Sequence, residues 1–444
     1  MSDTHRIQHI DAWRFIAVSL VIQGHLFVHS SLSLANQFPF LRRLGRFGTF
    51  GVLIFFVISG FVICRGLVEE RAGTTVVSLK AFYVRRAFRI LPPLYLYLAA
   101  LTLLGFIGWI GISPPQISNS ALFLCNLDVD CSWFAGHTWS LAYEEQFYLL
   151  FPALFVVMGL GTRPRSLLVI LWGMVLLSLG CRGLDMDWLA GYLSNMAFLL
   201  TGCAAALYWD RLAPLCRSLS IGRWLAALTV LVACVGLLPY PLEAYVQTML
   251  YPPLITLLVL GTPLAQPRVR AFFQNPLVSY LGKISYTVYL WQQLAMSNFS
   301  ELSPWWTVLF LVGVWLFAHG SYRYLERPLI GVAARWSDSI KRRGAAVSLA
   351  SVYRTLPLLA DAGIITAAER AGKLTRWERA AGRGHHDHML CARCGLTIEF
   401  HSAELERLQA RLCRAHRFTR LSHTLHIHGF CRACARAARG AAPA

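Results

Sequence analysis

Apolar runs long enough to cross a bilayer recur from residue 12 to about residue 325, which is more than any soluble core absorbs. They predict ten spans, near residues 12–33, 47–66, 91–111, 139–159, 166–182, 189–209, 223–239, 247–265, 277–298 and 304–323. Within lipid the backbone must satisfy its own hydrogen bonds, so such runs fold as helices. The expected fold is therefore an all-α polytopic membrane bundle of about ten transmembrane helices. Only 14% of the 444 residues are charged, against about 25% in soluble domains. Asp3 and Asp11 flank the start and no small-residue cleavage site follows the first run, so that run reads as an uncleaved span.

Loop charges set the orientation. Arg65, Arg71, Lys80, Arg85, Arg86 and Arg89 fall between spans two and three. Further groups follow span four (Arg163, Arg165), span six (Arg211, Arg217, Arg223), span eight (Arg268, Arg270, Lys283) and span ten (Arg327, Arg335, Lys341, Arg342, Arg343). Cytoplasmic loops carry the excess of Lys and Arg, so both ends of the bundle are expected in the cytoplasm. Arg42, Arg43 and Arg46 break the pattern as a surface patch or a functional group. Cys125 and Cys131 fall on the outer side, where they are either bridged or free.

Several ionisable residues sit where a purely structural span would not place them. Arg14 and His25 share one face of the first span, roughly 16 Å apart along its axis. An intramembrane histidine marks a functional site unless a neighbouring helix merely satisfies it. Arg86 and Arg89 are three apart at the mouth of span three; such a pair suits phosphate, although anchoring at the cytoplasmic face also explains basic residues there. Glu144 and Glu145 are adjacent carboxylates inside an apolar span, where they need a partner or a proton. Arg14 or a span-three arginine is the expected partner. Glu326–Arg327, at the end of the bundle, reads as interfacial structure.

Four separated motifs are similar to those of the acyltransferase-3 family of membrane-embedded O-acyltransferases. They are Arg14 with His25, the stretch Phe50-Gly-Val-Leu-Ile-Phe-Phe-Val-Ile-Ser-Gly-Phe61, Arg86-Ala-Phe-Arg89, and His137-Thr-Trp-Ser-Leu running to Glu144-Glu-Gln-Phe-Tyr148. Later echoes are Leu281–Trp291 and Tyr324–Pro328. The resemblance covers residues 8 to about 330. It implies transfer of an acyl group, usually acetyl from cytoplasmic acyl-CoA, to hydroxyls of envelope or exported carbohydrate. Gln292-Gln293 stands where the family often carries a histidine. A hydroxyl needs a base to attack, and His25 is fitted to supply one near neutral pH. Arg86 and Arg89 would then hold the donor's phosphates, and Arg14 would line the path or neutralise Glu144. Whether His25 takes the proton or carries the acyl group is left open by the residues.

From Ala345 the composition changes. The last 100 residues hold 15 Lys+Arg against 7 Asp+Glu, with eight of the 14 His and five of the 12 Cys. This separates a membrane domain over 1–340 from a C-terminal domain over 345–444. Cys391-x2-Cys394 and Cys431-x2-Cys434 are hooks of the kind that close a tetrahedral zinc site. His385, His386, Asp387 and His388, with Glu399, Glu406 and His423, supply donors for a second, exchangeable divalent metal. Residues 405–412 have helical spacing and 419–428 alternate as a strand.

Residues 346 to about 436 resemble the ferric uptake regulator family of metal-sensing repressors, on His385–Phe400 and on Val347-Ser-Leu-Ala-Ser-Val-Tyr-Arg-Thr-Leu356, which looks like a DNA-recognition helix. The resemblance implies a small α+β zinc-binding, dimerisation-type domain with a partial winged helix. Structural zinc would fall on Cys391, Cys394, Cys431 and Cys434. Sensing ligands would come from His386, His388, Glu399 and Glu378, with His385, Asp387, Glu406 and His423 forming a neighbouring site. The family's first helices are missing, and span ten with residues 330–344 stands in their place. A recognition helix without that scaffold does not hold the geometry that major-groove reading requires.

The leading expectation is a multi-pass O-acyltransferase of a bacterial inner membrane, in contact with lipid, a carbohydrate acceptor and acyl-CoA, with a metal-binding tail able to pair two copies. Two alternatives are a membrane-tethered, metal-responsive DNA-binding regulator and a proton-coupled transporter using His25 and Glu144. The junction near Lys341–Gly344 also reads as the product of a gene-joining event, in which case the tail need have no function.

Overall fold

The computed structural model describes residues 9–29, 45–74, 76–239, 242–296, 304–344, 349–362, 364–368, 376–379, 387–394, 396–419, 423 and 425–439. It divides into two compact units, Met1–Arg343 and Gly344–Ala444.

The first unit is helical. Its long helices are α1 (Ile10–His29), α2 (Phe47–Thr74), α3 (Leu79–Phe106), α4 (Thr138–Val157), α5 (Arg165–Gly183), α6 (Asp187–Leu207), α7 (Ile221–Leu237), α8 (Pro276–Ala295), α9 (Pro304–Ser321) and α10 (Arg327–Gly344). Two short helices, Leu242–Met249 and Tyr251–Leu260, stand where one span near 247–265 is expected. Among the described residues, each expected run overlaps helix over part of its length. By length and composition, six helices are able to cross a membrane among the described residues, or seven if the bent pair Trp209–Arg217 and Ile221–Leu237 counts as one span. The runs outside that count are the broken pair and two helices loaded with polar groups: α4 carries Glu144 and Glu145, and α8 carries Lys283, Gln292 and Gln293.

The core gathers around α1 and α2. Phe56, Phe61, Phe155 and Phe198 are among its largest fully buried side chains. Close approach is made by small residues. A Cβ at Gly282 of α8 would collide with the Asp11 carbonyl of α1, and a Cβ at Gly60 of α2 with the Leu199 carbonyl of α6. These contacts draw α8 and α2 onto their neighbours at backbone distance. Asp11 meets Gly282 at one end of α1, and His25 meets Gln292 at the other, so α1 and α8 run parallel. On the connection after α3, Cys125 and Cys131 are joined by a disulfide, which settles the pairing left open by the sequence.

α3 begins well before the expected span. Its N-cap is Ser78, whose hydroxyl accepts from the Ala81 N–H, and the helix continues through Pro92 and Pro93. Arg86 and Arg89 consequently lie two turns inside a continuous helix, not at its mouth. Beside the start of α3, α10 is tied to the bundle. Lys341 Nζ lies 2.9 Å from Glu70 Oε1, Arg85 Nη2 lies 3.4 Å from Glu70 Oε2, and Arg85 also bonds Ser337.

The second unit holds helix α11 (Leu349–Asp361), an antiparallel pair β1 (Ile365–Ala368) and β2 (Arg376–Arg379), and a three-stranded sheet of β3 (Asp387–Cys391), β4 (Thr397–Phe400) and β5 (His426–Gly429). β3 lies between antiparallel β4 and parallel β5. Helices α12 (Ala403–Ala415) and α13 (Arg432–Arg439) complete it. α12 contains the segment 405–412 read as helical. Of the expected strand 419–428, only its end, from His426, is strand among the described residues.

Candidate active site and metal centre

The polar residues inside the first unit form two layers joined by α1 and α4. One layer is ionic. Glu144 Oε1 accepts from the Ser59 hydroxyl at 2.7 Å and Oε2 from Tyr148 at 3.1 Å. Arg86 sets its guanidinium over the Tyr148 ring, 4.4 Å from the centroid. Arg14 pairs loosely with Asp11 at 3.8 Å and lies in electrostatic range of Arg86 and Glu144. Glu145 interacts with Arg86 and Glu144, and its Oε1 is buried without a hydrogen-bond partner among the described residues. The sequence expects an arginine beside Glu144, and Arg14 and Arg86 are its electrostatic neighbours without being its direct hydrogen-bond partners. Two hydroxyls fill that place, because a serine on α2 and a tyrosine one turn along α4 reach the carboxylate first, and Arg14 and Arg86 act through space.

Glu326 requires a correction. The sequence places it at an interface, yet it is only 4% exposed. The turn Tyr322–Glu326 between α9 and α10 is a π-helix, which inserts a residue and re-aims side chains. Glu326 Oε1 accepts from Thr287 at 2.6 Å and Ser321 at 3.2 Å, and the carboxylate lies in electrostatic range of Arg89. It joins Asp11, Glu144 and Glu145 as the fourth carboxylate of this layer. Among the described residues, Arg86 and Arg89 make no direct ion pair or hydrogen bond, so their N–H donors remain available to an anion.

The other layer is built of neutral groups. His25 Nδ1 lies 2.9 Å from Gln292 Oε1. Gln292 Nε2 faces Gln293 Oε1 at 3.5 Å, and Gln293 Nε2 donates to the Trp133 carbonyl at 2.7 Å. The Trp133 ring stands edge-on to His25, 6.0 Å between centroids. His137 lies in electrostatic range of His25, buried between the rings of Tyr97 and Tyr289. Tyr289 in turn bonds Ser140 at 2.6 Å and the His137 carbonyl at 2.8 Å.

The spacing between layers is self-consistent. His25 lies eleven residues beyond Arg14 on α1, and Tyr148 lies eleven residues beyond His137 through α4. Each run amounts to roughly 16 Å, and the two helices traverse it in opposite directions. Ser59, His137, Gln292 and Glu326 were not picked out as site residues from sequence. Ser59 and His137 are visible as polar residues inside quoted motifs. Gln292 meets His25 over 267 positions, and Glu326 meets Thr287 over 39.

In the second unit, the Sγ atoms of Cys391, Cys394, Cys431 and Cys434 lie within 4.8 Å of one another. A tetrahedral thiolate site with metal–sulfur bonds of about 2.3 Å has edges of about 3.8 Å; Cys394 and Cys431 are 3.7 Å apart. N–H groups of Cys394 and Cys431 pull the Cys391 thiol down to about 6, while the neighbouring sulfurs of Cys431 and Cys394 push Cys434 up to about 12. Four sulfurs at that spacing, one favoured as thiolate, fit zinc. Elsewhere His423 Nε2 lies 3.2 Å from Glu406 and 3.9 Å from Asp387. His388 is the register partner of Glu399 across β3 and β4, and Glu378 is that of Thr366. His385 and His386 lie outside the described residues.

Residues 7–330 match the family described as acyltransferase domain, and residues 335–428 match the ferric uptake regulator family. A peptidoglycan O-acetyltransferase of Listeria monocytogenes is 27% identical over 369 residues, covering 73% of this chain and 56% of that protein. The ferric uptake regulation protein of Campylobacter jejuni is 39% identical over 88 residues, 20% of this chain and 55% of that protein. A solved Helicobacter pylori ferric uptake regulator, described as having three functional metal binding sites, is 33% identical over 22% of this chain and 66% of its own, with a TM-score of 0.20. The chain spans about half the length of the curated relatives it matches.

Proposed function

The chain belongs to the acyltransferase domain family, and from that premise we propose that it is an integral membrane O-acyltransferase moving an acetyl group from acetyl-CoA to a hydroxyl of envelope carbohydrate. The observation that carries this reading is the pair of layers. A thioester donor of the coenzyme A type has phosphates at one end of an extended arm and the reacting carbonyl at the other. Arg86 and Arg89 offer uncommitted donors of the kind that grip phosphate bidentately. His25, roughly 16 Å along α1 from Arg14, supplies the base. The acceptor hydroxyl gives its proton to His25 as its oxygen attacks the carbonyl, and the thiolate leaves. Arg14, Glu144 and Glu145 hold the charged layer together around the donor. The carbohydrate acceptor is inferred from the Listeria relative, a peptidoglycan O-acetyltransferase.

The proposed setting is a bacterial inner membrane, with ten spans and both ends of the bundle cytoplasmic, as the loop arginines favour. The second unit, residues 345–444, would then lie in the cytoplasm as a metal-binding tail. Cys391, Cys394, Cys431 and Cys434 would hold a structural zinc, which ties β3 to the start of α13. Asp387, Glu406 and His423, with Glu399, His388, His385 and His386, would serve a second divalent metal, and the tail would pair two copies of the chain. In chain order α11 comes after α10, where the resemblance expects the helices that brace a recognition helix, so DNA reading is not part of the proposal.

The test is mass analysis of envelope glycans from cells with and without the full-length protein. An added acetyl group dependent on the protein and lost in His25→Ala is expected. Unchanged glycans in cells whose membranes contain the protein would overturn the reading.

A further inference from the structure

Gln292 and Gln293 are almost completely buried, at 0% and 3% exposure, inside a bundle where an unpaired amide is costly. Their hydrogen bonds run in one direction. The Trp133 carbonyl only accepts, so Gln293 must turn its NH2 toward it, as the 2.7 Å contact requires. That leaves Gln293 Oε1 facing Gln292, which must answer with its own NH2. Flipping Gln292 would set two carbonyl oxygens against each other. Gln292 Oε1 is therefore the atom presented to His25, and an oxygen there demands a proton on Nδ1. In a neutral imidazole the lone pair then resides on Nε2.

We propose that Gln292 and Gln293 are positioning residues that fix His25 as its Nδ1–H tautomer, so that Nε2 is the nitrogen that takes the acceptor's proton. The proposal rests on the acyltransferase reading for its purpose, though not for its geometry. It assigns to a backbone carbonyl and two neutral amides the orienting task that a carboxylate performs behind the base in serine hydrolases. A neutral relay suits a membrane interior. It holds the ring without adding a buried charge, and the proton gained by Nε2 passes to the departing thiolate instead of being trapped in an ion pair.

The test uses the full-length protein in lipid vesicles, with labelled acetyl-CoA and N-acetylglucosamine oligosaccharides as probes. Nitrogen-15 NMR of histidine-labelled protein, with the His25 signals identified by their loss in His25→Ala, should show a protonated Nδ1 and an unprotonated Nε2. Gln292→Leu should mix the two tautomers and lower kcat about tenfold or more, with the KM for acetyl-CoA within about twofold because Arg86 and Arg89 are untouched. Gln292→Glu keeps an acceptor toward Nδ1 and should restore most of the turnover and the tautomer. Wild-type protein that transfers no acetyl group to the glycan probe overturns the acyltransferase reading itself. Active wild-type protein with His25 protonated on Nε2, or a Gln292→Leu variant with unchanged kcat, overturns the relay alone.

Discussion

The two polar layers of the bundle share α1, α4 and α8, yet they solve burial in opposite ways. The ionic layer places three guanidiniums among Asp11, Glu144, Glu145 and Glu326, and gives Glu144 hydroxyls from Ser59 and Tyr148 and Glu326 hydroxyls from Thr287 and Ser321. The imidazole layer holds no formal charge apart from what His25 and His137 acquire, and its contacts are amide, carbonyl and ring. The difference teaches a division of labour. A charged donor needs fixed opposite charge where it enters, whereas a proton-transfer step needs a group whose charge is free to change. Putting both in one layer would lock the histidine into an ion pair.

The sharpest way to break that division is His25→Ala. On the proposed mechanism, transfer to the carbohydrate should fall about 10²–10⁴-fold, the usual contribution of a positioned base. The protein should still accumulate in the membrane, because α1 packs through Ala12, Ala17, Val18 and Val21. Acetyl transfer from labelled acetyl-CoA in membrane vesicles measures it, and retained activity would place the chemistry elsewhere.

Glu144→Ala strikes the ionic layer and should act on stability before chemistry. It strands the Ser59 and Tyr148 hydroxyls and removes a negative charge from beside Arg14 and Arg86. Breaking a buried charged network in this way costs about 3 kcal/mol. Glu144→Gln keeps an acceptor for one hydroxyl and should lose less. Thermal unfolding in detergent, followed by tryptophan fluorescence, ranks the two; equal stability of Glu144→Ala and wild type would show that the layer is not held by this carboxylate.

Arg86→Ala separates donor binding from chemistry. Charge-assisted hydrogen bonds contribute about 1.5–3 kcal/mol each, so the KM for acetyl-CoA should rise about tenfold to a hundredfold while kcat changes less. A fall in kcat with KM unchanged would assign Arg86 to the imidazole layer's work instead.

The layers differ also in how far the sequence discloses them. Arg14 and His25 stand on one apolar run, and eleven residues of helix fix their separation, so both layers are foreshadowed by a single stretch. Glu144 and Glu145 betray themselves as carboxylates in an apolar context. What periodicity cannot supply is the identity of partners across the fold. Ser59 reaches Glu144 over 85 positions, and Gln292 reaches His25 over 267. Glu326 is hidden for another reason, since a π-turn shifts the helical register that a regular pattern assumes. Likewise Arg86 looks like an end-of-span residue because basic residues delay the apolar run, although Ser78 caps the helix well upstream. The cysteine hooks are the opposite extreme, because local spacing alone announces four sulfurs that the fold then gathers.

That locality makes the tail the control for the bundle. Cys394→Ser removes one of four sulfurs from a site whose edge, 3.7 Å between Cys394 and Cys431, matches tetrahedral zinc. Zinc retained by the purified full-length protein after dialysis should drop from one equivalent per chain toward none, by elemental analysis. Acetyl transfer should stay within about twofold of wild type, since His25 and Arg86 draw every described partner from residues before Arg343 and an independent change leaves kcat/KM unaltered. A matching fall in both quantities would show instead that metal in the tail sets the geometry of the two layers, making the charged helix α10, clamped through Lys341 to Glu70, the first place to look for the connection.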